Sequence, residues 1–475
     1  MTIGLILAAA AQAGAACAED IAHYEVQFLR DREFAVEAEF AEPRTGFRVW
    51  HYPTEARPEG QSESIRDLAA RGADGEPVEI AYGGGGEWSA PGGASEISYR
   101  VIVDHDEITW PFGADEVGHP FDGGYFFAGT AFFVAPTEDR ETCPVSVRFN
   151  VPDGWTLTAP WATGALEGRA ANMDAFQVNG FAIGPFRQSI QRVGDFALTS
   201  VYERRLEGVV KPFGEALLNA LLPAYTEYFG GQPDSGYSTF HFSYATTDGS
   251  AFRQSFSLQY SWPLNEVEKP VWAHGLAHET MHLWVGAEGI QRADSQIEWF
   301  TEGFTDYLAI KHLYRAGFLD DAGLRHQLEA IITRQQLGTF LSRGTTLREA
   351  GANKGAHRFW IYGGGALIAF LLDAEMSSAE PGSFDRMMAD LYAQGGEPYT
   401  FDRLMAALNA HSGGRAQEIF EAVGGGMRQN QINARLQTAG AGVGVAGYGE
   451  MTYVVFEGDC GDPRGCAPGF LRGGR

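Results

Sequence analysis

Two histidines four residues apart, His278 and His282, bracket a glutamate, Glu279, in the stretch VWAHGLAHETMHLW. Residues four apart on a helix share a face, so both imidazoles can grip one ion. Glu279 is rotated about 100° from His278 at 3.6 residues per turn. Its carboxylate therefore stands beside an ion rather than on it, where a general base for water belongs. Twenty residues after His282, EWFTEGFTDYLA opens a second predicted helix with Glu302 and Asp306 one turn apart. Catalytic zinc takes three protein ligands and keeps one open position, and His278, His282 and Glu302 supply that number. Asp306 suits the carboxylate that accepts the second ring N–H of a ligating histidine, although an ordinary helix acid is the alternative.

Two neighbours compete for these roles. His274 precedes His278 by four, but Gly275 stands where the base should be, so His274 reads as structural. Glu298 is the rival third ligand, one turn before Glu302. Glu302 is preferred because Asp306 follows it one turn on.

HETMHLW, WFTEGFTDYLA and the later IYGGGALIAFLLD resemble the gluzincin metallopeptidases. Within them the chain looks most like the glycyl aminopeptidase family. The leukotriene-hydrolase and alanyl aminopeptidase group is its cousin, whose H-x-W-x-G segment reads here His282, Leu283, Trp284, Val285, Gly286. The resemblance covers most of the chain. It implies a thermolysin-like catalytic domain, one zinc ion per chain and a peptide or protein substrate. It also implies that Tyr362, sixty residues after Glu302, donates to an oxyanion, with Gly364-Gly365 replacing the lysine-glycine pair of the relatives. A core tyrosine is the alternative.

In these families a glutamate just upstream of the zinc helix pairs with the substrate's free amine. The corresponding stretch here, Asp248 to Phe256, contains no glutamate. Ser250, Ala251 and Phe252 stand where the resemblance places substrate contacts, and Arg253 would repel an amine. Asp248, or Glu266 or Glu268 on a loop folded back, are the substitutes. The reading is a zinc peptidase, aminopeptidase-like, with amine recognition weakened or lost. A decayed peptidase serving as a binding protein, or a zinc hydrolase of a non-peptide bond, would carry the same residues.

The rest of the chain must position these groups. Its 475 residues exceed a single core, and 44% hydrophobic with 13% aromatic content is ample for packing. A net charge of −26, with no basic stripe, argues against nucleic acid as a partner. Residues 1–18 resemble a signal peptide lacking its basic start, with Ala16-Cys17-Ala18 as the cleavage site, which implies a periplasmic or secreted protein. Lipid anchoring at Cys17 is not expected, because Gly14-Ala15-Ala16 lacks the large apolar residue such a site prefers. No later stretch approaches 18 apolar residues, so no membrane span is expected. Cys460 and Cys466 could close a short disulfide loop, leaving Cys143 as a buried thiol.

The fold expected is multidomain α+β. Alternating runs at Phe34, Val36, Ala38, Phe40 and at Ile97, Tyr99, Val101, Val103 predict an antiparallel β-sandwich over residues 19–162. A catalytic domain over 163–440 follows, mixed at first and then all-α, with zinc helices in 271–310 and a helical subdomain in 311–440. Two strands around Phe240 and Phe256 are expected to flank a loop, TTDGSAF, that borders the cleft. Ser383 and Thr400 read as helix N-caps. Residues 441–475 are a glycine-rich tail with one strand-like run, Met451 to Phe456, and the PDZ domain many glycyl aminopeptidases carry has no room.

Overall fold

Alternating burial organises the first half of the chain. In β1 (Ala22–Arg30) and β2 (Glu33–Arg48), paired antiparallel, the side chains of Tyr24, Val26, Phe34, Val36 and Ala38 turn inward while Glu37 and Glu39 face solvent. This is the period of two that a strand with one buried face requires. The structure, a computed structural model, describes residues 20–472 except 56, 104–116, 139, 141–142, 234–235, 246, 287–288, 449–450 and 459–464. The expected signal peptide, Cys17 and Cys460 lie outside the described residues.

The chain divides after Pro185 into two units. The first continues with β3 (Ile65–Arg71), β4 (Pro77–Val78), β5 (Ala81–Gly84), β6 (Glu87–Ile102), β7 (Gly118–Phe121), β8 (Gly124–Ala128) and the short helix α1 (Gly129–Phe132). After these come β9 (Ala135–Pro136), β10 (Val145–Asn150), β11 (Thr156–Thr158), β12 (Glu167–Ala170), the short α2 (Met173–Gln177) and β13 (Gly180–Gly184). One sheet runs β12-β10-β1-β2-β6-β3-β4, with β5 on β6 and β9 on β2; the other runs β11-β13-β8-β7. Phe34 of the first sheet meets Tyr125 and Phe127 of the second edge-to-face at 5.2 and 5.4 Å, so one aromatic core joins both. Two expectations need correction. The sandwich is not wholly antiparallel, since β1 and β10 pair in parallel. Its end lies at Pro185 rather than residue 162, because β12 and β13 hydrogen-bond to β10 and β8.

The second unit begins with a five-stranded sheet, ordered β14 (Gln188–Val193), β15 (Phe196–Tyr202), β16 (Tyr237–Tyr244), β18 (Ser255–Ser261), β17 (Asp248–Ala251). The segment expected as a loop is thus itself the edge strand, β17, antiparallel to β18. Helix α3 (Val210–Phe229) precedes β16. Then come α4 (Lys269–Met281), the short parallel pair β19 (Val285–Gly286) and β20 (Ile290–Gln291), and α5 (Glu298–Arg315). Helices α6 (Asp321–Leu341), α7 (Leu347–Ala350), α8 (Lys354–Ala379), α9 (Ser383–Ala393), α10 (Phe401–Ser412), α11 (Arg415–Gly424) and α12 (Gln429–Ala439) complete the predicted helical region. Thr400 caps α10 by accepting from the Arg403 N–H, whereas α9 starts on left-handed Gly382 and Ser383 is its first helical residue.

Glycine explains how α8 reaches the middle of this unit. A Cβ at Gly365 would lie 1.8 Å from the Trp299 carbonyl oxygen of α5, and one at Gly363 would lie 2.3 Å from the Gln335 nitrogen of α6. The two glycines let backbone approach backbone on either side of one helix. The stretch Leu347–Ala379 has the length and composition to cross a membrane, yet 83% of its apolar window is buried inside the protein.

The described residues of the glycine-rich C-terminal stretch include two strands and a short helix. Strands β21 (Val443–Tyr448) and β22 (Met451–Phe456) form a hairpin, and α13 (Gly469–Arg472) follows. Val443, Val445, Val454, Phe456 and Leu471 are buried in the same core as α6 and α12. Cys143 and Cys466 are both disulfide-bonded, so Cys143 is not the free buried thiol expected; the pairing of Cys466 with Cys460 falls outside the described residues.

Candidate metal centre and its cleft

The helix that carries His278 and Glu279 stops at Met281, and His282 is its C-cap, still with helical angles (φ −58°, ψ −20°). The one-turn spacing therefore survives the helix end. Across from it, α5 presents Glu298, Glu302 and Asp306 on successive turns, all buried. His278 Nε2 and His282 Nε2 lie 3.1 Å apart, and Glu302 Oε2 lies 3.4 and 3.5 Å from them. Ligand atoms about 2.1 Å from a tetrahedral zinc subtend about 109°, which puts them about 3.4 Å from one another. The triangle fits that ion.

The remaining hydrogen bonds set the direction of each lone pair. His282 Nδ1 is 3.0 Å from the Val285 carbonyl, which only accepts, so Nδ1 carries the proton and Nε2 is free to ligate. His278 Nδ1 faces Asp306 Oδ1 at 3.5 Å. Glu302 Oε2 is buried without a hydrogen-bond partner, while its Oε1 accepts from Lys354 Nζ at 2.6 Å. One carboxylate oxygen is neutralised and the other is left to the triangle. Three groups of suitable type, with Glu302 Oε2 uncommitted and the two Nε2 atoms turned toward one point, fit a bound zinc ion.

Asp306 holds more than was expected of it. Its Oδ1 also lies 2.7 Å from His274 Nε2, within ion-pair reach, and Arg334 of α6 binds Oδ2. His274 is thus a direct partner of Asp306, and His274, His278 and Asp306 form a second cluster sharing one histidine with the first. Glu298 is committed elsewhere, to Arg292 and to Lys354 Nζ at 3.3 Å. That engagement takes it out of the ligand set.

Electrostatics follow from these contacts. Burial opposes ionisation of Glu302, yet His282, His278 and Lys354 hold its carboxyl well below the usual range. Burial likewise opposes Asp306, and Arg334 and His274 outweigh it. For His278 burial disfavours the charged ring, but the Asp306 and Glu302 carboxylates push it up to about 10. Tyr362 is raised well above 10, by burial first and then by Glu302 and Glu279. Its hydroxyl stays a donor at neutral pH.

A cavity of about 380 Å³ opens on this centre and is lined by Glu279, His278 and Tyr362. Glu279 Oε2 is buried there without a partner. The Tyr362 ring stacks on His278 with centroids 5.8 Å apart. On the sheet side the wall is Asp248 and Gly249, at the start of β17, rather than Ser250, Ala251 and Phe252. Arg253 is exposed and does not line the cavity. Glu268 accepts from Ser261 Oγ and from Thr247 Oγ1, and Glu266 pairs with Lys269. Lys354, Arg334, Arg292 and Arg358 were not legible as site residues, because they come from α6, α8 and the segment before α5, which no local spacing ties to the histidines.

Several solved structures share this fold. An aminopeptidase N family protein from Idiomarina loihiensis aligns over 90% of this chain and 79% of its own, with TM-score 0.69 and 18% identity. An M1 zinc metallopeptidase from Deinococcus radiodurans aligns over 85% of this chain and 93% of its own, with TM-score 0.55 and 15% identity. A mutant of that Deinococcus enzyme bound to a Tyr-Ser-Ala substrate gives TM-score 0.54 at 15% identity, over 86% and 94%. No protein-family model and no curated protein sequence matches the chain. At these identities the likeness establishes the fold, that of the M1 zinc metallopeptidases.

Proposed function

We propose that this protein is a zinc-dependent peptidase, holding one zinc ion per chain through His278, His282 and Glu302. The observation that carries the reading is the 3.1–3.5 Å triangle of ligand atoms with the orphaned Glu279 carboxylate beside it. Zinc so held would supply a Lewis acid that polarises a carbonyl and makes water acidic enough to lose a proton near neutral pH. Glu279 takes that proton on its free oxygen and delivers it to the leaving amine. Tyr362, kept protonated, donates to the developing oxyanion. Asp306, fixed by Arg334 and His274, holds the ring of His278 in one orientation. The edge strand β17 offers main-chain groups to an extended peptide.

Within the M1-like fold, the sequence stretches HETMHLW and WFTEGFTDYLA support a relation to the glycyl aminopeptidases. Export to the periplasm or beyond suits disulfide-bonded Cys143 and Cys466. Amine recognition is weak. The acid on the β17 wall, Asp248, is exposed, and a screened ion pair is worth only about 0–1 kcal/mol. An acetylated peptide and its free-amine twin should therefore differ in kcat/KM by less than about 10²-fold. A larger preference for the free amine would make the protein a strict aminopeptidase.

The peptidase reading is tested by metal analysis of the purified chain together with peptide hydrolysis before and after chelation. One zinc per chain and chelator-sensitive cleavage, restored by zinc, are expected. Full zinc without cleavage of any peptide in a random library would overturn it.

A further inference from the structure

Among the described residues, every cation close to the centre but Arg358 is committed to a carboxylate. Arg334 binds Asp306, Lys354 binds Glu302 and Glu298, and Arg292 binds Glu298. Arg358 is the exception. It is exposed, lines the same cavity as Glu279 and Tyr362, and has no carboxylate within ion-pair reach among the described residues. A free guanidinium at a cleft is unusual in a chain with 61 acidic and 35 basic residues. Its position is fixed by the helix. Arg358 lies one turn before Tyr362 in α8, with its guanidinium carbon 5.6 Å from the Tyr362 ring centroid.

We propose that Arg358 is the anchor for a carboxylate carried by the substrate. The inference rests on the peptidase reading of the same cleft and names its substrate class: peptides bearing a carboxylate within about two residues of the scissile bond. One helical turn is about 5.4 Å, and an extended peptide advances about 3.3 Å per residue. A carboxylate reaching Arg358 while the scissile carbonyl reaches Tyr362 is therefore a near neighbour of that bond. Guanidinium binds carboxylate through two parallel N–H donors, which gives orientation as well as attraction. The carboxylate has two sources, the C-terminus of a short peptide or an Asp or Glu side chain. Phe359 beside Arg358 and Val271 on α4, both exposed at the rim, add apolar contact without competing for charge.

The experiment compares two peptide pairs on zinc-loaded wild type and Arg358→Gln. One pair is a tripeptide as free acid and as amide; the other is a longer amidated peptide with Asp or Asn beside the cleaved bond. Wild type should prefer the carboxylate-bearing member of at least one pair by about fivefold in kcat/KM, the upper end of what an ion pair at an exposed site provides. The responsive pair identifies the source. In Arg358→Gln that ratio should fall to within about twofold of one. Wild-type ratios near one in both pairs, or a ratio that persists in the variant, would overturn the role of Arg358 and leave the peptidase reading standing. Should wild type cleave none of the four, the random-library assay decides the peptidase reading, and calorimetric affinities of the same pairs for the two proteins decide the anchor.

Discussion

The two units bury polar groups in opposite ways. The first is packed with aromatic rings, and its most buried hydroxyls, on Tyr24 and Tyr99, donate to the backbone carbonyls of Val134 and Phe132. Few of its buried residues are charged: among the described residues these are Arg44 and Glu33, which pairs with Arg30 and Arg100. The second buries Lys311 against Asp373 and Asp385, and buries Glu302, Asp306, His241 and His312 as well. Ions out of water cost several kcal/mol each unless paired, so the buried carboxylates and Lys311 of the second unit carry a cost in stability that few groups of the first incur. The difference separates a unit held mainly by packing from one that also holds buried charges around the candidate metal centre.

Glu279→Gln gives the largest expected effect. Turnover should fall at least 10²- to 10⁴-fold while zinc content and the unfolding of both units stay as in wild type. A fully zinc-loaded variant cleaving at the wild-type rate would remove Glu279 from the mechanism and leave the second unit's charges unexplained.

Tyr362→Phe should lower kcat on the order of 10²-fold with little change in KM, since the donor is used in the transition state. An effect confined to KM would reassign Tyr362 to substrate binding.

Packing separates the units as well. Gly365→Ala should destabilise the second unit by about 1–3 kcal/mol, because the new methyl meets the Trp299 carbonyl at backbone distance. In the first unit Gly83→Ala meets only the Glu87 carbonyl oxygen, at 3.7 Å, and should be close to neutral. Equal Tm shifts would show that the α5–α8 contact is less tight than the structure has it.

Acid gives the smallest effect per step. Burial lowers His241 to about 3, and burial with Arg315 and Lys311 does the same for His312. Both rings stay neutral when folded and take a proton when unfolded below about 6.5. The unfolded state then binds more protons, so stability falls as pH drops from about 6.5 toward 3, by up to about 1.4 kcal/mol per pH unit for each ring. Hydrogen exchange resolved by unit should show the second losing protection before the first between pH 7 and 4. His312→Gln should reduce that slope, and its persistence would place the acid sensitivity elsewhere.

Local spacing made much of this site legible. His278, Glu279, His282, Glu302 and Asp306 all stand at one-turn intervals or beside them, and helix geometry converts such intervals into a shared face whatever the rest of the chain does. Strand alternation at Phe34 to Phe40 and the run Met451 to Phe456 were readable for the same reason. The short TTDGSAF stretch was not, because an edge strand needs a partner more than a pattern.

The sequence by itself carried the candidate ligands, the candidate base and the alternation of the first unit, since each depends on neighbours a few residues away. Tertiary structure alone decided which acids were free to use. Lys354 reaches Glu302 across 52 residues and Arg334 reaches Asp306 across 28, and the same kind of contact removed Glu298 from the ligand set and left Arg358 unpaired. An ion pair between distant residues depends on where two helices cross, and that crossing is set by the whole core, including glycines whose value lies in the side chain they lack.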